Sequence, residues 1–412
     1  MRIVFIGDDF TGASDTLATL SERGLKVRLF LDVPHPDETR GLDAVGIATD
    51  LRSLGPGEIA TRLMALLPAV QSLAPRFIHY KVCSTFDSAP HIGSIGSAVR
   101  TLERVLAPSR TFILGGQPSL GRYCLFGTLF ARAPDGDIYR IDRHPVMNRH
   151  PVTPMDEADL RIHLAKQGLE DVGLLDRPSL TARSQDGLLS TCGRILVDAI
   201  DQSDIDHFGN LLSRLDGGGK PDLIVGASSV AEALISDGTS PREMGDAIRW
   251  PDGPILAVAG SRSAMTARQV DAAHSYQRVP VQPEDLAVPD RIANRCAHIL
   301  GKKRNVMVHL QPDVDYARTP NELSGCLARL TKTILSQHRA VGLAVAGGDT
   351  SSTLVSELGF RSLSFIERAG AGVAVCLGHA ADGPLDGTIL LLKGGQVGDV
   401  DLFERFAKRF AR

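Results

Sequence analysis

No extended run of lysine and arginine occurs in the 412-residue chain, and its formal charge is only −3. Such a chain offers neither a global nor a local basic field to a nucleic-acid backbone, which excludes nucleic acid as a partner. No stretch approaches 18 uninterrupted apolar residues, so no membrane-spanning helix and no membrane partner is expected. The first strand begins at once, without a basic stretch followed by a long apolar run, and a cytoplasmic location is expected from it. The six cysteines (Cys83, Cys124, Cys192, Cys296, Cys326, Cys376) are never two to four residues apart, which argues against a zinc clip or a disulfide framework and suits buried thiols in a reducing compartment. Also missing are a repeat of fixed period, a low-complexity tract, a Gly-x-Ser-x-Gly nucleophile elbow, the P-loop pattern and a Rossmann Gly-x-Gly-x-x-Gly after a strand.

What is present is the balance of a globular protein, with 43% hydrophobic and 23% charged residues. Short apolar runs alternate with amphipathic stretches: "IVFIG", "VRLFL", "AVGIA", "FIHY", "TFILGG", "RILVDA" and "DLIVGA" in the first part. This pattern predicts an α/β fold with mainly parallel strands. The segment "TLATLSERG" reads as the first crossover helix, with Gly24 as its stop. A Gly-, Pro- and charge-rich stretch over 236–254 reads as a linker, giving an N-terminal domain 1–235 and a C-terminal domain 255–412. The second domain repeats the alternation with "ILAVAG", "NVMVHL", "VGLAVAGG", "GVAVCLG" and "TILLLKGG".

Ligands of open α/β sheets bind beyond the carboxyl ends of strands, so the residues that follow each strand carry the functional weight. After the first strand stand Asp8 and Asp9, then Phe10, Thr11 and Gly12 at a helix start. One acid there is explained by helix capping. An adjacent pair also suits a carboxylate that accepts a proton from a substrate hydroxyl, with Asp9 first and Asp8 second in that role. An acidic loop repels a triphosphate, so this domain is expected to hold the other substrate. Arg52 and Lys81 each follow a strand and can pair with a small carboxylate, although single exposed cations are common. With Val82, Cys83, Ser84 and Thr85 they form a site suited to a hydroxy acid. Histidines 144 and 150, between prolines, read as an extended loop in preference to a metal pair, and His79 as a core residue.

The second domain carries glycine turns after strands and no acidic pair. Gly260, Ser261, Arg262 and Ser263 follow its first strand; Gly347, Gly348, Asp349, Thr350 and Ser351 follow another; Lys393, Gly394, Gly395 and Gln396 follow the last. Glycine turns at helix starts let backbone amides approach phosphate. Asp349 is either a helix cap or an aid to a nucleotide-bound Mg²⁺.

The ordered motifs "IGDDFTGASD", "TDLRS", "YKVCST", "GRY", "GSRS", "GGDTS" and "LLLKGGQVGDVDLF" resemble the landmarks of the four-carbon acid sugar kinase family over nearly the whole chain. The resemblance implies ATP, with Mg²⁺ carried by it, as the phosphate donor, and an acid sugar as acceptor. It also implies an active site in the cleft between the two domains. Asp9, Arg52 and Lys81 to Ser84 fall where the family binds its acid; Ser261, Gly347 to Thr350, Gly394 and Gly395 fall where it binds ATP. The third motif departs from the family's Lys-x-Asp-Ser-Thr-x-Arg-Gly: Cys83, Asp87 and Ser88 replace aspartate, arginine and glycine. Losing a carboxylate and reversing a charge must alter recognition. Among threonate, erythronate, 3-oxo-tetronate and 3-oxo-isoapionate, the expectation therefore moves toward an oxo or branched acid. Two other classes compete: a non-catalytic two-lobed acid-binding protein, for which the glycine turns would be superfluous, and a nicotinamide-dependent dehydrogenase, which lacks its fingerprint. A homodimer is left open.

Overall fold

The structure, a computed structural model, describes residues 1–182, 189, 191–235, 249–370, 372–380 and 383–410. The chain divides into two compact units: Met1–Val27 with Asp32–Glu243, and Arg28–Leu31 with Met244–Arg412.

The first unit is built on β1 (Ile3–Gly7), β3 (Ala44–Ala48), β4 (Phe77–Lys81), β5 (Thr111–Leu114), β9 (Val172–Leu175), β10 (Arg194–Val197) and β11 (Asp222–Gly226), given the number β2 for Val27–Phe30. They lie in the order β3-β1-β4-β11-β5-β10-β9, and every pairing is parallel. β1, β3, β4 and β11 are buried along their whole length, because parallel strands are covered on both faces and therefore read as largely apolar runs. The helix Phe10–Glu22 returns from β1 with Ala13, Leu17, Ala18 and Leu20 inward. It stops before Gly24, whose φ of +87° suits glycine, so Leu25 lies beyond the helix. A small antiparallel sheet, β6 (Arg122–Leu125), β7 (Thr128–Arg132) and β8 (Ile138–Arg140), follows β5. The apolar pattern does not announce it, since Arg122, Tyr123 and Leu125 are only half-buried.

The second unit contains β12 (Ile255–Ala259), β13 (Tyr276–Pro280), β14 (Asn305–His309), β15 (Gly342–Ala346), β16 (Phe360–Gly370), β17 (Val373–Ala380) and β18 (Ile389–Lys393). β13-β14-β12-β15-β18 is a parallel run. β17 joins β18 antiparallel and pairs with β16, a strand that the alternating pattern misses. β16 in turn pairs antiparallel with β2, Leu363 opposite Leu29. "VRLFL" is a strand as expected, and its residues Arg28–Leu31 are grouped with the second unit. Of the expected linker 236–254, residues 236–248 lie outside the described residues. Trp250, within the remainder, packs edge-on against Phe406 and Phe410 with ring centroids 6.2 and 5.0 Å away, so the second core begins before Pro254.

Candidate active site

In the first unit β3, β1 and β4 run in register, with Ala48 beside Gly7 and Gly7 beside Lys81. The loops that leave their carboxyl ends therefore emerge together. Asp9 is the N-cap of the helix Phe10–Glu22, and its Oδ1 accepts from the Gly12 amide at 2.8 Å. Arg52 donates through Nε and Nη2 to the two Asp8 oxygens, at 3.1 and 2.7 Å, and through Nη1 to Asp9 Oδ2 at 2.9 Å. One guanidinium thus holds both carboxylates, the bidentate geometry that arginine supplies and lysine cannot. Asp8 is 5% exposed, whereas the Asp9 side chain is 30% exposed. Burial pushes the Asp8 carboxyl above its ordinary value against the pull of Arg52, and neighbouring Asp9 adds to the push. Burial also works to lower Arg52, but the two carboxylates outweigh it and keep the guanidinium protonated.

Lys81 is buried at the end of β4, and its Nζ donates to the Val82 carbonyl at 2.8 Å. A Cβ at position 12 would lie 2.5 Å from Asp9 Oδ1 and 2.6 Å from Lys81 Nζ, so any side chain there would displace both groups. The helix start is thus shaped to let an acid and an amine approach it together. In the loop after Lys81 the Thr85 hydroxyl donates to Asp87 Oδ1 at 2.5 Å and lies 3.0 Å from Cys83 Sγ. Burial pushes the Cys83 thiol up to about 11, so it stays protonated and unreactive at neutral pH. Ser84 is half-buried in the same loop. Ser88 is anchored from below by His163 Nε2 at 3.0 Å and by the Gln167 amide at 2.8 Å. These partners are 75 and 79 residues away, and no local signal in the sequence marks them.

The histidines fall elsewhere. His144 Nδ1 accepts from the amides of Val146 and Met147, and His150 Nδ1 from that of Thr153. His79 is a core residue whose Nε2 meets the Gly226 carbonyl at 3.1 Å, and burial lowers it to about 3. Among the described residues no group of three or more His, Cys, Asp or Glu is placed to hold a metal.

In the second unit the three glycine turns follow β12, β15 and β18, which are adjacent strands in register: Ala259 lies beside Ala346, and Ala346 beside Lys393. Their residues Gly260, Ser261, Arg262, Gly347, Gly348, Asp349, Thr350 and Gly395 line one concavity of about 260 Å³. Gly347 has φ of +125°, a value that side-chain-bearing residues avoid. It is also the N-cap of the helix Gly348–Glu357, which opens its amino end into the concavity. Asp349 is therefore not the cap; it is exposed in the first turn. Ser263 caps the helix Ala264–Ala272 and donates to the Gly395 carbonyl at 2.6 Å, as Thr266 does at 2.8 Å. Lys393 is buried, and its Nζ donates to Thr266 Oγ1 at 3.1 Å and to the Gly395 carbonyl at 3.3 Å. Burial lowers it to about 8. Lys393 thus braces the turn from behind, while Gly394 and Gln396 flank Gly395 in that turn. Gln269 donates to the carbonyls of Val397, Gly398 and Asp399 and holds the next residues. Arg318, Pro320, Leu323 and Ser324 complete the lining and were not apparent from the sequence. The one cue is the capping box of Thr319 and Glu322, which marks the helix Pro320–Gln337 beside them.

The acidic turn and the glycine turns thus sit on different units, each at the carboxyl edge of a parallel sheet. Comparison with known proteins gives the same division. The family model of a sugar-binding N-terminal domain matches residues 3–234, and that of a nucleotide-binding C-terminal domain matches residues 256–403. The chain belongs to the four-carbon acid sugar kinase family. Among its relatives, the 3-oxo-isoapionate kinase of Paraburkholderia graminis is 31% identical over 98% of this chain and 93% of its own. The 3-oxo-tetronate kinase of Cupriavidus necator is 30% identical over 97% and 95%. Membership makes the chain a phosphotransferase and disfavours a non-catalytic binding protein. In fold it is similar to crystal structures of a Salmonella typhimurium LT2 protein (TM-score 0.83, 24% identity, all of both chains) and of a Haemophilus influenzae protein (TM-score 0.79, 24% identity, 99% of this chain and 100% of that one). Among the described residues no helix is long and apolar enough to cross a membrane.

Proposed function

We propose that this family member transfers the γ-phosphate of ATP to a hydroxyl of a small oxo or branched sugar acid. The observation that carries the reading is the separation of charge: two carboxylates locked by Arg52 on one unit, and glycine turns at a helix amino end on the other. Phosphoryl transfer needs little covalent chemistry from a protein and depends on positioning and on stabilising charge. ATP occupies the concavity of the second unit, where close-approaching backbone and the amino end of the helix Gly348–Glu357 suit its phosphates. Mg²⁺ enters with the nucleotide as part of that substrate, and Asp349 is the acid in the lining.

Asp9 is the group that takes the hydroxyl proton. Its capping bond and the Arg52 bond orient it, and its partial exposure leaves it accessible. Asp8, buried and bidentate to Arg52, fixes the guanidinium and does not itself reach substrate. Lys81 supplies positive charge beside Gly12, and the Ser84 and Thr85 hydroxyls serve the polyol. Transfer requires that water be excluded from the reacting hydroxyl and the γ-phosphate. The 3-oxo acids named for the relatives, together with Cys83 and Asp87 in the substrate loop, favour an oxo acid over threonate or erythronate. The cytoplasm, which supplies ATP and keeps the free thiols reduced, is the compartment that suits this chemistry.

The test is ADP formation by purified protein with threonate, erythronate, 3-oxo-tetronate and 3-oxo-isoapionate, followed by NMR location of the phosphate on the product. Acid-dependent ADP release with an oxo acid is expected. Absence of release with every acid would overturn the reading.

A further inference from the structure

We infer that Arg122 binds the carboxylate of the acid substrate. The inference rests on the kinase reading and names the cation that the acid group meets.

The two cations that follow strands β3 and β4 already have partners. Three N–H bonds of Arg52 go to Asp8 and Asp9, and Lys81 Nζ donates to the Val82 carbonyl. Arg52 is in effect neutralised by two anions, which leaves little attraction for a third. Arg122 differs in each respect. It opens β6, directly after the loop that leaves the carboxyl end of β5, and a pair of backbone bonds with Gln117, at 3.0 and 3.1 Å, fixes its position. β5 and β4 both flank β11, with Leu114 and Lys81 opposite the same Gly226. The loop after β5 and the Lys81–Asp87 loop therefore leave the sheet at one level.

Arg122 donates through Nη1 to the Leu120 carbonyl at 2.5 Å, has no carboxylate partner among the described residues, and keeps a buried Nε with no hydrogen-bond partner. A buried guanidinium nitrogen left without an acceptor is costly and calls for an explanation. Burial lowers Arg122 from its ordinary value, and no protein carboxylate offsets this. Arg122 and the Lys81–Asp87 loop therefore belong to the same carboxyl edge, on either side of β11. An acid bound along that loop, with its reacting hydroxyl at Asp9 and its carboxylate at the terminal nitrogens of Arg122, would give this guanidinium the anionic partner that the protein does not supply. A planar carboxylate also matches the fork of N–H groups that Arg122 still has to offer.

The experiment measures kcat and KM of wild type, Arg122→Gln and Arg122→Lys with the best acid from the panel and with the neutral primary amide of that acid, alongside KM for ATP. A charge-assisted pair predicts a tenfold to hundredfold rise in KM for the acid in Arg122→Gln, with partial recovery in Arg122→Lys and an unchanged KM for ATP. The amide, which has no carboxylate to lose, should be used about equally by wild type and Arg122→Gln. Equal KM for the acid in wild type and Arg122→Gln overturns the inference while the kinase reading stands. So does a loss that is the same for acid and amide, which marks a structural role. If Arg122→Gln fails to fold, Arg122→Lys decides: selective weakening toward the acid supports the inference, and wild-type behaviour overturns it. A wild type inactive with every acid removes both readings.

Discussion

Replacing Asp9 by asparagine separates its structural work from its chemical work. The structure gives Asp9 two bonds: Oδ1 accepts from the Gly12 amide, and Oδ2 accepts from Arg52 Nη1. Asparagine caps helices as well as aspartate does, so the first bond survives. The second loses its charge assistance, but the Asp9 side chain is 30% exposed and Arg52 keeps Asp8, so the loss is about 1 kcal/mol or less. For a unit of this size that corresponds to a fall in Tm of roughly 2–4 °C. Removal of a proton acceptor, in contrast, lowers kcat by about 10²- to 10⁴-fold. KM for ATP should be unchanged, because the nucleotide turns lie on the other unit. Asp9→Ala should show the same loss of kcat with roughly another 1 kcal/mol of instability from the lost cap. Differential scanning fluorimetry and a coupled ADP assay measure the two effects independently. An Asp9→Asn enzyme that retained kcat within tenfold of wild type would refute the assignment of Asp9 as proton acceptor.

Arg52→Lys should keep one charged bond to the carboxylate pair and lose the fork, lowering kcat by at least tenfold with little change in KM for ATP, as read by steady-state kinetics. Gly12→Ala and Gly347→Ala form a matched pair. The first drives a methyl against Asp9 and Lys81 and should weaken the acid reaction only; the second imposes φ of +125° on alanine and should abolish the thermal shift given by ADP. Lys393 is lowered to about 8 when folded against an ordinary value of 10.5, so the unfolded chain binds the extra proton between these values and stability rises with pH across that window. Lys393→Met should remove that rise, a difference of at most about 3 kcal/mol between wild type and variant in urea titrations at pH 7.5 and 10.

Much of this molecule is legible because burial on both faces writes itself into composition. β1, β3, β12 and β15 are uninterrupted apolar runs, β4 and β18 are apolar but for His79 and their terminal lysines, and each is followed by a turn that carries function. The acidic pair at Asp8 and Asp9 and the glycine turns at Gly260, Gly347 and Gly395 stand out for the same reason: their residue types are unusual just after a buried strand. β6 and β16 were not legible, since their half-buried residues carry no clean period. Nor was the pairing of Val27–Phe30 with β16, because an apolar strand records that it is buried and not which neighbour buries it.

The order of residues by itself determined the α/β class, the presence of two domains and the sorting of acid and glycine turns between them, since these depend on local pattern and on charge along the chain. Only the tertiary structure decided the state of each charged group. It set Arg52 against both aspartates, turned Lys393 inward to brace a carbonyl, gave the helix cap to Gly347 and not to Asp349, and left Arg122 with a buried nitrogen that has no acceptor. A cation's partner is chosen by distance in space, and residues tens of positions apart meet only once the sheet has brought their loops to one edge.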